Sequence, residues 1–237
     1  MRSRGVSGLD NGIRFNKVAT PNSKHGIYTA KLRLPLQANE PDTLALKLAN
    51  FILGEGALQS RLGQRLRKQE GISYSIGSKM SASAFEPRAT FSISATYAPA
   101  QRQKLSKAVH EELAALVKNG LTEQEFQNAK DNWRNRNHLS NLNDGQILGK
   151  LNLLLRLQQD FQYYAEENAR VEALTLAQVN AAIARHLKPD HLLEVFADAE
   201  VVLEGYKRII FFMTVQSVNK FNLQRVKFIG YLFFFIQ

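Results

Sequence analysis

Hydrophobic and polar positions along the chain divide it into short alternating runs and longer stretches with helical spacing. Residues 26–34 alternate: Tyr28, Ala30, Leu32 and Leu34 face one side, and Thr29, Lys31 and Arg33 the other. That period of two predicts a half-buried strand. Pro41-Asp42 opens a helix whose Leu44, Leu48, Phe51 and Ile52 repeat at i, i+4, i+7 and i+8. Gly54 and Gly56 are expected to break it, using the freedom of glycine at positive φ. A second apolar stripe, Leu58, Leu62 and Leu66, then runs to about Gln69.

Two more strands follow. Ile72, Tyr74 and Ile76 alternate with Ser73, Ser75 and Gly77, placing Tyr74 on the apolar side. Phe91, Ile93, Ala95 and Tyr97 alternate with Thr90, Ser92, Ser94 and Thr96. The short connection through Phe85-Glu86-Pro87 makes the two runs an antiparallel pair. Beyond Pro99, Leu105, Val109, Leu113 and Leu116 mark a helix ending near Asn119-Gly120. Thr122 to Glu125 and Thr175 to Gln178 are capping boxes, each opening a helix. The first of these helices carries Phe126, Ala129 and Trp133. Between them, Asn141 to Gly145 reads as a turn, and Ile147, Leu151, Leu154 and Leu155 as another apolar helix face. Pro189-Asp190 turns the chain into a strand from His191 to Ala197. The order is strand, two helices, two strands, several helices, strand. It predicts an α+β domain, a mainly antiparallel sheet with helices packed on one face.

The two ends differ from this body. Residues 1–22 are polar and rich in Gly, Ser and Asn, and read as a loose leader or linker remnant. Residues 23–200 are the expected domain. Residues 201–237 form an atypical basic, aromatic tail: positions 204–237 hold seven of the 14 Phe, five Lys or Arg and one acid. A membrane-surface tail and translation past a frameshift are both consistent with that shift.

At 237 residues, with 44% hydrophobic and 22% charged residues, the composition is that of an ordinary globular chain. There is no Cys, which excludes disulfides, thiolate metal sites and a Cys nucleophile. No signal peptide is read in residues 1–20, and no apolar run is long enough for a membrane-spanning helix. The cytoplasm is the default expectation, with the periplasm or an organelle as alternatives if a signal was lost. The net charge of +10 is spread along the chain and accompanies no nucleic-acid motif, so no nucleic-acid partner is expected. The densest basic cluster is Arg61, Arg65, Arg67 and Lys68.

Candidate chemistry is sparse. His25, His110, His138, His186 and His191 include no pair with HExxH or HxxEH spacing. His110-Glu111-Glu112 lacks a second His and reads as helix surface. His186, near a helix C-terminus, is explained by the dipole. There is no G-x-S-x-G elbow and no P-loop lysine after the glycines at 54 and 56. By spacing alone, Arg67 and Tyr74 read as a member of a surface ion pair and a core aromatic.

Four segments, in order, resemble the C-terminal, non-zinc repeat of the insulinase/pitrilysin metallopeptidases, the inverzincins. They are LANFILGEG, SRLGQRLRKQEGISYSIGS, GLTEQEFQNAKDNW and LTLAQVNAAIARHLKPD. The second, with Leu66, Arg67, Gly71 and Tyr74, is the most specific. The resemblance covers roughly residues 23–200. It implies a mitochondrial-processing-peptidase-like fold that pairs with a similar repeat into a clamshell around a peptide chamber. It further implies that the other half carries HxxEH and the zinc, and that this chain binds no metal. Arg67 is implied to grip the substrate backbone, Tyr74 to support the oxyanion, and Gly54 and Gly56 to belong to a substrate-contacting loop. The implied function is the non-catalytic, substrate-binding half of a zinc endopeptidase, inactive alone. A scaffold subunit of the same fold, or a gene remnant, is the alternative within the family. A basic binder using the aromatic tail at a membrane is the alternative outside it.

Overall fold

The structure is a computed structural model, and it describes residues 14–20 and 23–199. Five strands form one sheet: β1 Arg14–Ala19, β2 Gly26–Leu34, β3 Ser73–Ala82, β4 Ala89–Tyr97 and β5 Leu193–Asp198. Their order is β1-β5-β2-β4-β3. Only β1 and β5 pair in parallel; β5 with β2, β2 with β4 and β4 with β3 are antiparallel. Six helices accompany the sheet: α1 Pro41–Asn50, α2 Arg102–Asn119, α3 Glu123–Ser140, α4 Asp144–Leu157, α5 Gln162–Ala173 and α6 Leu176–His186. None of the described helices is long and apolar enough to cross a membrane.

The period-two reading holds for β2 and β4. Tyr28, Ala30, Leu32 and Leu34 are buried with Phe91, Ile93, Ala95 and Tyr97. The opposite face of the same strands, including Lys31, Arg33 and Ser94, is open. The helices therefore cover one face, as expected for α+β. Leu44 and Leu48 of α1, Leu105, Val109, Leu113 and Leu116 of α2, and Val179 and Ile183 of α6 complete the core. Both capping boxes form. The Thr122 amide donates to Glu125 at 2.9 Å and the Glu125 amide to the Thr122 hydroxyl at 3.3 Å. Thr175 and Gln178 make the same two bonds at 2.9 and 3.3 Å.

Several expectations are corrected. Residues 14–19, read as part of a loose leader, form the edge strand β1; with six residues and a parallel partner 179 positions away, it carries little local signal. The rest of the leader through residue 13 and the tail from residue 200 lie outside the described residues. Leu58 is exposed, although Leu62 and Leu66 are fully buried. In α4 only Leu154 is buried, whereas Leu151 and Leu155 are exposed, so that stripe does not face the core.

The glycines at 54 and 56 do not break a helix through positive φ. The only described glycines with positive φ are Gly71 and Gly120. Instead α1 runs into a π-helical segment, Phe51–Glu55. Gly54 is buried, and a Cβ there would lie 2.4 Å from Ser78 Oγ and 2.6 Å from the Ser78 backbone nitrogen. The absent side chain lets this segment press onto β3. Asn50 fixes the contact, accepting from the Ser78 hydroxyl at 2.7 Å and donating to Glu55 at 2.8 Å.

The least foreseeable feature is polar. β5 turns Glu194 and Asp198 inward, on either side of Phe196, and both carboxylates are fully buried. Glu194 accepts from the Tyr28 hydroxyl at 2.7 Å and from Ser106 at 3.0 Å, and lies 3.1 Å from His110 Nε2. Asp198 accepts from Tyr97 and, at 2.9 Å, from Arg102 Nε. Burial pushes the Glu194 carboxyl up, but the bonds from His110, Tyr28 and Ser106 outweigh it and hold it below the usual range. Its hydrogen bond raises His110 above the ordinary 6.5 despite partial burial.

This packing generates three predictions. Gly54→Ala should destabilise the domain by about 1–3 kcal/mol, because the Cβ meets the Ser78 backbone nitrogen as well as the Ser78 hydroxyl, and the backbone cannot rotate away; an unchanged melting temperature would refute the close approach. Glu194→Ala should cost on the order of 3 kcal/mol, since it strips three partners of their acceptor, Tyr28 fully buried and Ser106 and His110 partly solvated. The His110 contribution has a defined pH window. His110 is raised on folding, so its stabilisation is full below its unfolded value and fades as pH climbs through the raised one. Glu194 is lowered, so its contribution fades only at acid pH. The stability gap between the native chain and His110→Gln should therefore be widest in mildly acid solution and shrink toward pH 8–9, measured by urea titration; a gap constant across that range would exclude the pair.

Candidate functional site

Leu66 to Tyr74 connects a helix to the edge strand β3. The helical part, Gly63–Gln69, is π-type. It is anchored by Leu62 and Leu66, both fully buried, and closed by the Glu70 amide donating to Arg65 O at 3.0 Å. Gly71 follows at φ +60. It is the left-handed residue that ends a helix at least cost in glycine, and it lets the Ile72 amide return to Leu66 O at 2.9 Å. The chain thereby reverses sharply into β3 with Arg67 on the last helical turn and Tyr74 at the head of the strand.

The four-residue basic cluster separates into two pairs. Arg61 bonds Glu125 in a fork, at 2.8 and 2.6 Å, and donates to Gly120 O at 2.9 Å. Arg65 bonds Glu70 at 2.8 Å, Glu112 at 3.2 Å and Glu111. These two arginines tie the Gly63–Gln69 segment to α2 and α3. Arg67 and Lys68 are exposed, and among the described residues neither has an ion-pair partner. A guanidinium free of internal partners on an ordered helix end has its planar donor fork available to a ligand.

Tyr74 departs from the alternation. It is 57% exposed rather than on the apolar side with Ile76. The cause is a β-bulge. Ser73 pairs with Tyr97 and Ser75 with Thr96, leaving Tyr74 as the extra residue between them. A bulge redirects the side chain it carries, so Ser73 turns inward, and Tyr74 and Ser75 both turn out. The phenol ring spans β4 and meets the ring of His25, before β2, edge-on at a centroid distance of 4.7 Å. His25, which sequence reasoning left unassigned, is thus the immediate neighbour of Tyr74. No spacing rule could have joined two residues 49 positions apart.

Gly56 is partly exposed beside this region, while Gly54 is spent on the contact with Ser78. Two of the other histidines have structural partners: His110 on Glu194, and His186 on Asp42 at 2.6 Å, beyond any dipole effect. Among the described residues no group of three or more His, Asp or Glu could hold a metal ion. The nearest combination, His110 with Glu194, has its carboxylate already committed to Tyr28 and Ser106. These residues do not fit a zinc site.

Known proteins share this fold. The profile of the Peptidase M16 inactive domain matches residues 14–132. A zinc protease of Bacillus subtilis (strain 168), YmxG, is 28% identical over 155 residues, covering 64% of this chain and 36% of its own length. A solved peptidase M16 inactive domain from Pseudomonas fluorescens is 25% identical with a TM-score of 0.67, over 79% of this chain and 44% of that one. A protease from Helicobacter pylori has the same fold at 19% identity, TM-score 0.70, over 80% of this chain and 45% of that one. The inactive peptidase domain of a putative zinc protease from Bordetella parapertussis, at 18% identity and TM-score 0.63, is covered over 96% of its length. The chain thus spans about a third of the Bacillus relative and under half of the two longer solved chains. It belongs to the insulinase-type M16 peptidase family, as an inactive C-terminal-type domain without the zinc motif.

Proposed function

We propose that this chain is the substrate-binding half of a two-part zinc endopeptidase, working in peptide hydrolysis with a half that bears HxxEH. The observation that carries the reading is the pairing of two features: the exposed guanidinium of Arg67, without an ion-pair partner among the described residues, and the bulge that turns Tyr74 out of the core. Neither serves the packing of the domain, and both present hydrogen-bond donors at one end of β3.

In this reading Arg67 holds a substrate carbonyl through its fixed N–H donors, where Lys would offer only a point charge. The Tyr74 hydroxyl donates to the oxygen on which negative charge develops as the peptide carbonyl becomes tetrahedral. The zinc of the other half supplies the activated water when bound. Gly56 lies where a peptide could approach backbone closely. Gly54, being buried, serves that loop by anchoring it. The domain proposal keeps residues 23–200 as the working module, to which β1 Arg14–Ala19 is added, with residues 201–237 as a tail.

A mixture of this chain with an HxxEH-bearing half should cleave a generic peptide in a chelator-sensitive way, and neither half should do so alone. No cleavage with a zinc-loaded partner would overturn the reading in favour of a scaffold subunit. In the active mixture, Tyr74→Phe should lower kcat by about 10²–10³-fold with KM little changed, as expected for a donor used only in the transition state. Arg67→Ala should also raise KM. Both side chains are exposed, so melting temperatures should stay within about a degree of the native chain; full turnover by both variants would remove the assigned roles.

A further inference from the structure

The open face of the sheet has an uneven chemistry that the Arg67–Tyr74 pair does not use. Register places Lys31, Ser92 and Lys79 side by side across β2, β4 and β3. The next row is Arg33, Thr90 and Ser81, and the row above is Thr29, Ser94 and Gly77. The middle strand therefore offers only hydroxyls, and its flanks carry three exposed cations. No described carboxylate faces this surface from β2, β3 or β4, and among the described residues Lys31, Arg33 and Lys79 have no ion-pair partner. Glu194 and Asp198 of β5, the nearest acids along the sheet, point the other way and are buried.

We propose that this face is a docking surface for an acidic peptide in extended conformation, lying over the Ser and Thr row of β4 with Lys31, Lys79 and Arg33 around its carboxylates. Strand spacing puts the two lysine backbones roughly 10 Å apart, within reach of one carboxylate between them. Arg33 stands two residues from Lys31, roughly 7 Å along the strand. That is the repeat at which an extended peptide shows successive side chains on one face. The short hydroxyl side chains of β4 leave the centre shallow, and their donors suit carboxylate or peptide oxygens. Lys31 and Lys79, two strands apart on one face, and Arg33, two residues from Lys31, repel one another at this range; among the described residues no acid on this face offsets that repulsion, which an anionic ligand would relieve. The same face continues through Ser75 to Tyr74. The proposal rests on the substrate-binding reading for its identification of the peptide as substrate, and adds the class: acidic rather than basic.

The test is fluorescence anisotropy with two labelled peptides, one alternating Glu and Ala, the other Lys and Ala, at low and at physiological salt, using the full chain. The Glu peptide should bind more tightly, and the preference should shrink with salt. Lys31→Ser with Lys79→Ser should weaken Glu-peptide binding about five-fold or more. Lys104→Ser with Lys118→Ser, an equal loss of charge on the exposed side of α2, should leave it nearly unchanged. Equal binding of both peptides, an unaffected Lys31–Lys79 variant, or equal losses from the two lysine pairs would each overturn the surface. Arg67→Ala with Tyr74→Phe separates the two ideas. If that variant binds like the native chain while the Lys31–Lys79 variant does not, the acidic-peptide surface stands and the Arg67–Tyr74 grip falls.

Discussion

The architecture depends on two carboxylates buried beneath β5. This strand is the last of the described strands, yet it inserts between β1 and β2, closing a contact between Tyr28 and Glu194 across 166 residues. Such closure costs loop entropy before it returns any contact energy, so the strand needs a decisive reason to sit in one register. Hydrophobicity does not provide it. Leu193, Val195 and Ala197 on the open face are as apolar as the inward residues Glu194, Phe196 and Asp198 are mixed. A slip by one position would bury the aliphatic set. It would also send both acids to solvent and leave Tyr28 and Tyr97, fully buried, without acceptors. Unpaired buried hydroxyls each cost on the order of 1–3 kcal/mol, and the native register avoids that by giving each acid at least two donors. Here polar pairing specifies the fold where apolar burial is indifferent.

The same accounting sorts the cations. A charge that stabilises the domain is found with its counter-ion, as Arg61 is with Glu125 and Arg65 with Glu70, Glu111 and Glu112. Arg102 with Asp198 is the buried instance. Isolated surface pairs contribute little, but the Arg65 cluster joins the Gly63–Gln69 segment to α2 at several points and so holds the backbone from which Arg67 projects. Among the described residues, Arg67, Lys68 and, on the open sheet face, Lys31, Arg33 and Lys79 have no ion-pair partner, nor do Lys24, Lys104, Lys118 and Arg156 elsewhere on the surface. Absence of a counter-ion alone therefore does not mark a site; the open sheet face differs in placing three such cations around a row of hydroxyls.

Much of this was legible in the sequence, and the failures share a cause. The strands β2 and β4, the helices α2, α3 and α6 and both capping boxes were readable because one face of each meets the core and the local chemistry agrees with the period. The fold class followed from their order, and Arg67 and Tyr74 were singled out through the quoted motif rather than through spacing. What escaped were features set by long-range partners. β1 pairs with a strand at the far end of the chain. Glu194 and Asp198 are inward only because Tyr28, Tyr97, Ser106, His110 and Arg102 wait for them. Gly54 is glycine because Ser78 comes within contact distance, a constraint invisible at 24 residues' separation. Tyr74 is exposed because one unpaired residue enters β3, and a bulge leaves no mark on an alternating string.

These departures from regularity gather at one edge of the molecule. Two π-helical segments, a left-handed Gly71 and the bulge at Tyr74 all border β3 within some two dozen residues. Each forgoes ladder or helix bonds that a regular chain would make, and π-segments and bulges recur where a site must be shaped. A more regular alternative is easy to write: with strict alternation Tyr74 would join Ile76 under the helices and add an aromatic ring to the core. The chain instead spends that burial to hold the phenol outside, beside His25 and above a face of hydroxyls and cations. The core gains nothing from the arrangement, which supports the proposal of a ligand at that edge, and the donors it exposes suit a peptide carbonyl or a carboxylate as acceptor.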